Sequence, residues 1–325
     1  MARKGVNPHL ALPGFVISIF HPSSSIRYAG AVRFNKITII GVGLLGGSIG
    51  LALKRRRLAR EVAGFVRRPA NLKDCEKAGA VDYATTDLLA AVSNADLLIL
   101  GMPLAQMRAR VEEMLPGLKR GAIVTDVGSV KASVVRELES PVQKSGAHFV
   151  GSHPMAGAEK TGVIAARADL FTNAVCVVTP TKASNAAAVR QVESFWKSLG
   201  ARTLRLAPEQ HDLLVSRSSH LPHIVAAALA NLVLDPAKPK TQAVLCATGF
   251  RDTTRIASGS TEMWRDIALA NRRNLSQSVD AFISELQKFL RALKKCDAEA
   301  VSRFLEAAKT RRDNWCARCA SPSSE

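Results

Sequence analysis

The segment that most limits what this chain can fold into is Lys36-Ile37-Thr38-Ile39-Ile40-Gly41-Val42-Gly43-Leu44-Leu45-Gly46-Gly47-Ser48. A short β-branched apolar run enters a Gly-x-Gly-x-x-Gly turn. An apolar helical pattern through Ile49, Leu51, Ala52 and Leu53 follows at once. Gly41 permits the tight turn, Gly43 lets backbone approach a pyrophosphate, and Gly46 lets the helix lie close on the strand. The helix N-terminus then offers free N–H groups and the positive end of its dipole to phosphates. A strand before and a helix after give such a string its meaning. The segment predicts a dinucleotide-binding domain, with Gly41, Val42, Gly43, Leu44, Leu45 and Gly46 against the cofactor.

The kind of dinucleotide is read at the end of the second strand, Glu61 to Val66. An acidic side chain there would hydrogen-bond the ribose 2′-hydroxyl of NAD. Val66 holds that place, and Arg67 and Arg68 follow. A guanidinium matches a 2′-phosphate with two parallel hydrogen bonds, so NADP is favoured over NAD. The same arginines could also be plain surface charge on a basic chain. Met102 and Pro103, closing the apolar run Ala95 to Met102, complete the candidate cofactor contacts.

With 325 residues, 47% of them hydrophobic and 22% charged, the chain has room for two domains with sizeable cores. No apolar run approaches the roughly eighteen residues of a membrane span. The six cysteines are scattered, which suits reduced thiols and a cytoplasmic location. Cys316 and Cys319 form a CxxC without a second pair, so they read as incidental thiols and no metal is expected. The net charge of +18 is spread over Lys54 to Arg57, Arg108 to Arg120 and Arg303 to Arg318 without interleaved aromatics. It reads as solvated helix faces that help gather anions, rather than as a nucleic-acid surface. Residues 1–33 do not read as a folded unit. Their apolar stretch is interrupted by Pro13 and Gly14, so a disordered extension is expected rather than a signal peptide.

Strand and helix patterns alternate from Lys36 to Ala207. Ala95 to Met102, Ala122 to Val127, His148 to Ser152 and Ala174 to Thr179 read as buried parallel strands. Leu104 to Leu118, Val130 to Ser145 and Ser184 to Leu199 read as helices, and Arg202 to Leu206 as a last strand. Beyond Pro208 the pattern is helical, in segments Leu221 to Leu234, Thr241 to Phe250, Glu262 to Lys294 and Ala298 to Arg312. The third would span on the order of 50 Å if continuous. Such a helix rarely buries its apolar face alone, so an intertwined homodimer is expected. The expected architecture is an α/β Rossmann-type nucleotide-binding domain over residues 34–207, followed by an all-helical substrate and dimerisation domain over 208–312. A polar tail, 313–325, ends the chain.

In open α/β sheets ligands bind beyond the carboxyl ends of the strands. Two segments fall there besides the glycine turn: Thr125 to Lys131 and Gly151 to Lys160. His153 is thereby aimed at the crevice where a nicotinamide belongs, and can take a hydroxyl proton as a hydride leaves the same carbon. It could also merely cap its loop. Ser129 is placed to bond that hydroxyl or the nicotinamide amide. His220 and His223, in Ser219-His220-Leu221-Pro222-His223, share one helix face. They suit an anionic substrate better than a metal, because no acidic partner stands at ligand spacing. Arg251 and Arg255 offer a carboxylate clamp, although either could pair with Asp252.

Together these strings resemble the prephenate/arogenate dehydrogenase family of tyrosine biosynthesis, over roughly Lys36 to Arg312. The motifs that carry it are Gly-Val-Gly-Leu-Leu-Gly-Gly-Ser, Thr125 to Lys131, Gly151 to Lys160, Ser219 to His223, and Phe250 to Arg255 with Trp264-Arg265-Asp266. The resemblance implies that His153 acts on the ring C4 hydroxyl, with Ser129 orienting it. Arg255 would grip a substrate carboxylate, His220 and His223 would lie close to the substrate, and Glu159 and Trp264 would shape the pocket. Hydride would pass to the nicotinamide as the ring carboxylate leaves as carbon dioxide. His223 favours prephenate, whereas Arg67 and Arg68 are similar to NADP-preferring arogenate dehydrogenases, so arogenate stays the alternative substrate. The chain ends soon after its helical segments, and no regulatory ACT domain is expected. Two other readings compete: a β-hydroxyacid dehydrogenase, which would need a lysine where His153 stands, and a non-catalytic dinucleotide- or nucleic-acid-binding protein.

Overall fold

The computed structural model describes residues 34–158 and 160–320, with side chains through Ala317. The extension expected over 1–33, the candidate Glu159 and residues 321–325 lie outside the described residues. The first half alternates β1 (Phe34–Ile40), α1 (Leu44–Arg56), β2 (Ala59–Phe65), α2 (Ala70–Ala78), β3 (Tyr83–Thr85), α3 (Leu88–Val92) and β4 (Leu97–Leu100). It continues with α4 (Leu104–Met114), β5 (Ile123–Asp126), α5 (Ala132–Lys144), β6 (His148–Pro154), β7 (Val175–Thr179), α6 (Ala186–Ser198) and β8 (Arg202–Arg205). The eight strands form one sheet in the order β3-β2-β1-β4-β5-β6-β7-β8.

The apolar runs of the sequence are continuous because both faces of the sheet are covered. Ile37, Ile39, Leu97 and Ile99 point into one buried cluster with α1 and α6. Their chain neighbours Ile40, Leu98 and Leu100 point into the other, with Met107, Val111 and Leu138. This is the two-residue alternation of a pleated strand.

One strand departs from expectation: β7 pairs with β6 antiparallel, not parallel, with Pro154 opposite Cys176. No helix crosses the sheet between them. The connection leaves and returns at the same end, where Met155 N–H donates to Val175 O at 2.7 Å. Part of that connection, around Val163, rests on α1 at Gly47. The chain then crosses by α6 and β8 runs parallel to β7. Burial is the same for either direction, so the apolar pattern of Ala174 to Thr179 carried no sign of it.

The second half comprises α7 (Pro208–Val215), α8 (Leu221–Val233), α9 (Lys240–Val244), α10 (Thr248–Thr254), α11 (Thr261–Ala270), α12 (Arg272–Lys294) and α13 (Ala298–Ala320). A single π-helical turn, Ser216–His220, joins α7 to α8, just ahead of Pro222, which has no N–H to give. The expected helix Thr241 to Phe250 is two, separated where Ala247 is extended. The expected Glu262 to Lys294 helix is also two, broken at Asn271 with φ −107° and ψ 24°. The longer piece, α12, therefore spans about 35 Å rather than 50 Å. The polar tail expected from residue 313 is helical through Ala320. Lys309 pairs with Asp313 one turn on at 3.2 Å, and Arg312 lies over the Trp315 ring at 5.0 Å, so polarity there marks a solvated helix. Ile283, Leu286, Leu290 and Leu293 form an exposed apolar stripe on α12. Among the described residues no helix is long and apolar enough to cross a membrane.

Candidate active site

The glycine turn sits where the strand order reverses, between β1 and β4. Gly41 has φ +99°, and a Cβ there would come within 2.9 Å of the Gly101 carbonyl. Only glycine lets the ends of β1 and β4 approach so closely. A Cβ on Gly46 would fall 2.3 Å from Gly41 O and 2.9 Å from Ile39 Cγ2. Around Gly43 the space is open, with nothing within 4 Å of an added Cβ. No side chain caps the N-terminus of α1 and no acidic residue stands in its first turn. An uncapped N-terminus facing open space beside a glycine is the cradle a pyrophosphate requires, so these residues fit a dinucleotide. Met102 and Pro103 follow β4 alongside this turn, and Arg67 and Arg68 lie exposed just past β2. Val66 is buried at 3% exposure, so no acid faces the ribose position at the strand's end.

Beyond the glycine turn, β5 and β6 carry the chemistry. His153, near the end of β6, is 7% exposed and bonds through Nδ1 to His211 Nε2 at 2.9 Å. His211 Nδ1 in turn lies 2.8 Å from Asp212 Oδ1. Both residues come from α7, which is thereby joined to the sheet. The Asp212 carboxylate also accepts from the backbone N–H of Lys131 at 2.7 Å and of Ala132 at 2.9 Å, capping the start of α5. Burial holds the His153 imidazole well below its usual pKa, and the neighbouring His211, Lys131 and His220 push the same way. The ring is a neutral acceptor at physiological pH.

A second group faces it from the helical half. His223 on α8 stacks on Trp264 of α11, with ring centroids 3.5 Å apart and 11° between planes. His220 meets the same indole edge-on at 6.1 Å. Gly259 makes room for this stack, since a Cβ there would come 2.7 Å from Trp264 Nε1. His220 Nε2 and His223 Nδ1 are buried without a hydrogen-bond partner among the described residues. Two such ring nitrogens side by side mark a place for a ligand's polar groups. Burial pushes the His220 pKa down to about 4 against the opposing pull of Asp212, and burial also lowers His223. Asn271, at the break between α11 and α12, bonds through Nδ2 to Asp212 O at 2.8 Å and to His220 Nδ1 at 3.2 Å.

Beneath the imidazoles lies a fully buried ion pair. Lys131 Nζ bonds the Asp126 carboxylate and donates to Ser152 O at 2.9 Å. Asp126 also accepts from the N–H of Gly128 at 2.9 Å and of Ser152 at 3.1 Å. Trp196 Nε1 donates to Ser152 Oγ at 3.0 Å. Both charges are compensated, and the network clamps the end of β5 to β6 directly below His153. Burial lowers the Lys131 pKa, and Asp126 partly restores it.

The structure thus gathers His220, His223 and Trp264 into one cluster, with His220 close enough to His153 to act on its charge and Ser129 half-buried on the loop after β5. Arg255 is exposed at the turn Arg255–Ser258, which packs on α8. Three polar residues in this cluster escaped the sequence reading: His211, Asp212 and Asn271. The adjacent buried His211-Asp212 pair on an otherwise apolar helix face was the available signal; Asn271 offered none beyond an asparagine inside a helical pattern.

Comparison with known proteins accords with this geometry. The family described as "Prephenate dehydrogenase, nucleotide-binding domain" matches residues 49–205, and "Prephenate dehydrogenase, dimerization domain" matches residues 207–307. The prephenate dehydrogenase of Bacillus subtilis is 36% identical over 283 residues, covering 85% of this chain and 75% of that protein. The cyclohexadienyl dehydrogenase of Zymomonas mobilis is 32% identical, covering 86% of this chain and 95% of its own. The crystal structure of Aquifex aeolicus prephenate dehydrogenase with hydroxyphenyl propionate and NAD+ superposes with a TM-score of 0.82 at 30% identity. It covers 88% of this chain and 99% of that one.

Proposed function

We propose, since the chain belongs to the prephenate dehydrogenase family, that this oxidoreductase converts prephenate to 4-hydroxyphenylpyruvate by oxidative decarboxylation. The observation that carries the reading is a buried His153 close to His220, which shares the Trp264 indole with His223, each of these two rings having one buried nitrogen without a hydrogen-bond partner among the described residues. Bound at the glycine turn, a nicotinamide dinucleotide supplies the acceptor for the hydrogen leaving C4. His153 Nε2 accepts the hydrogen bond of the C4 hydroxyl and takes its proton as that carbon is oxidised. The ring carboxylate departs as carbon dioxide and its bonding electrons complete the aromatic ring. Ser129 orients the hydroxyl. His220 and His223 hold the anionic end of the substrate against Trp264, while Arg255 grips a substrate carboxylate. Because aromatisation drives the step, the chain needs chiefly to position the substrate and accept a proton.

Arg67 and Arg68, exposed beyond a buried Val66, support NADP over NAD. The exposed stripe Ile283, Leu286, Leu290 and Leu293 supports a homodimer built through the helical half. His223, present and buried against Trp264, supports prephenate over arogenate. The test is the absorbance of reduced cofactor, with prephenate and arogenate each tried against NADP and NAD. Turnover with prephenate and NADP is expected. Preference for arogenate overturns the substrate assignment, and absence of turnover in all four pairs overturns the activity.

A further inference from the structure

We propose that Asp212 and Asn271 are positioning residues that hold His153 and His220 in opposite tautomers, so that one imidazole offers the substrate a lone pair and the other an N–H. The inference rests on reading this pocket as the substrate site, and deepens it.

The first half follows from Asp212. Its two oxygens accept from the backbone N–H of Lys131, at 2.7 Å to Oδ1, and of Ala132, at 2.9 Å to Oδ2. A carboxylate held this way only accepts, so His211 Nδ1, 2.8 Å from Oδ1, must donate to it. The arrangement proposed leaves the lone pair of His211 on Nε2. His211 Nε2 therefore accepts from His153 Nδ1 at 2.9 Å. The His153 proton is fixed on Nδ1, and Nε2 is left as the acceptor.

The second half follows from Asn271, which is 4% exposed. Its Nδ2 lies 2.8 Å from the backbone oxygen of Asp212, which can only accept, and its Oδ1 lies 2.8 Å from Asn274 Nδ2. These partners settle which end of the amide is nitrogen. The same Nδ2 has a second hydrogen, directed at His220 Nδ1 at 3.2 Å. His220 must then accept at Nδ1 and carry its proton on Nε2. The Ser129 backbone favours a proton on this ring, in keeping with a donor at Nε2. The groups facing the two rings are His211 and Asp212 from α7, Lys131 from the start of α5, and His223 from α8. Burial lowers both rings, and at His220 it outweighs the opposing pull of Asp212, so tautomer rather than charge distinguishes the two.

The pair suits a substrate with a hydroxyl to donate and an anionic group to receive. It also gives the break between α11 and α12 a purpose. A continuous helix would carry the residue at 271 in regular helical backbone, whereas the break sets its amide between Asp212 and His220.

Ring-nitrogen NMR of the full chain labelled with 15N-histidine reads both tautomers directly, with His153→Asn and His220→Gln used for assignment. The expected spectrum has the His153 proton on Nδ1 and the His220 proton on Nε2. The same tautomer at both rings, or an ionised ring at either near pH 7.5, overturns the proposal. No turnover is needed, so this result stands apart from the identity of the substrate. Asn271→Asp replaces the donor beside His220 Nδ1 with an acceptor and should turn the ring over. The expected KM for prephenate rises about tenfold with kcat within about threefold. KM should recover as pH falls, because an ionised His220 carries a proton on both nitrogens. Asp212→Asn should instead lower kcat about a hundredfold with KM little changed. A KM in Asn271→Asp that ignores pH refutes the assignment.

Discussion

A buried histidine that stays neutral makes a fold sensitive to acid, and His220 allows the effect to be sized. Its pKa falls from 6.5 to about 4 on folding, because burial penalises the charged ring. The unfolded chain therefore binds a proton that the folded chain refuses across this interval, and stability must fall as pH drops below 6.5. The gap corresponds to roughly 3 kcal/mol, at about 1.36 kcal/mol per pH unit. Most of this is already lost at pH 4.5, and the loss is complete only below pH 4. His153 adds in the same direction, since its pKa is also held well below the ordinary value. Urea unfolding at pH 7.5 and pH 4.5 measures the effect. His220→Gln removes one titrating ring and leaves the others, so its stability should drop by about 2 to 3 kcal/mol less than wild type over the same interval. Exposed carboxylates affect both proteins alike and cancel. Equal pH dependence in the two proteins would falsify the claim that folding excludes the proton from His220.

Four further outcomes are expected. Gly46→Ala puts a Cβ 2.3 Å from the Gly41 carbonyl, so the protein should lose about 2 kcal/mol or more and bind dinucleotide at least tenfold more weakly. Gly43→Ala meets no atom within 4 Å and should melt as wild type while binding dinucleotide more weakly; fluorescence titration and thermal melts separate the two. Arg67→Ala with Arg68→Ala should raise KM for NADP about tenfold and leave that for NAD within about twofold; parallel changes would make both arginines surface charge. His153→Asn should lower turnover about a hundredfold with little change in KM, and an unchanged kcat would remove His153 from the reaction.

The nucleotide half was legible because its signals are local. The glycine turn, the strand before it and the helix after it are contiguous, and each glycine meets a constraint set by neighbours in the chain. His153 was legible for the same reason: it falls at the end of an apolar strand, and strand ends are where such sheets bind ligands. The direction of β7 was not, because a strand buried on both faces has the same composition whichever way it runs. The break at Asn271 was hidden too. The Asn271 side chain bonds Asp212, 59 residues away, a partner that no neighbouring residue announces.

Residue types and their spacing along the chain were enough to determine that a dinucleotide turn, a histidine at a strand end and a pair of histidines one helical turn apart exist at all. What only the tertiary structure decided is how those imidazoles are protonated. A ring's tautomer depends on what its far nitrogen touches, and His153 and His220 take those partners from α7 and from the break before α12. Hydrogen bonds between groups dozens of residues apart leave no period in a sequence; they exist only once the sheet and the helices have packed.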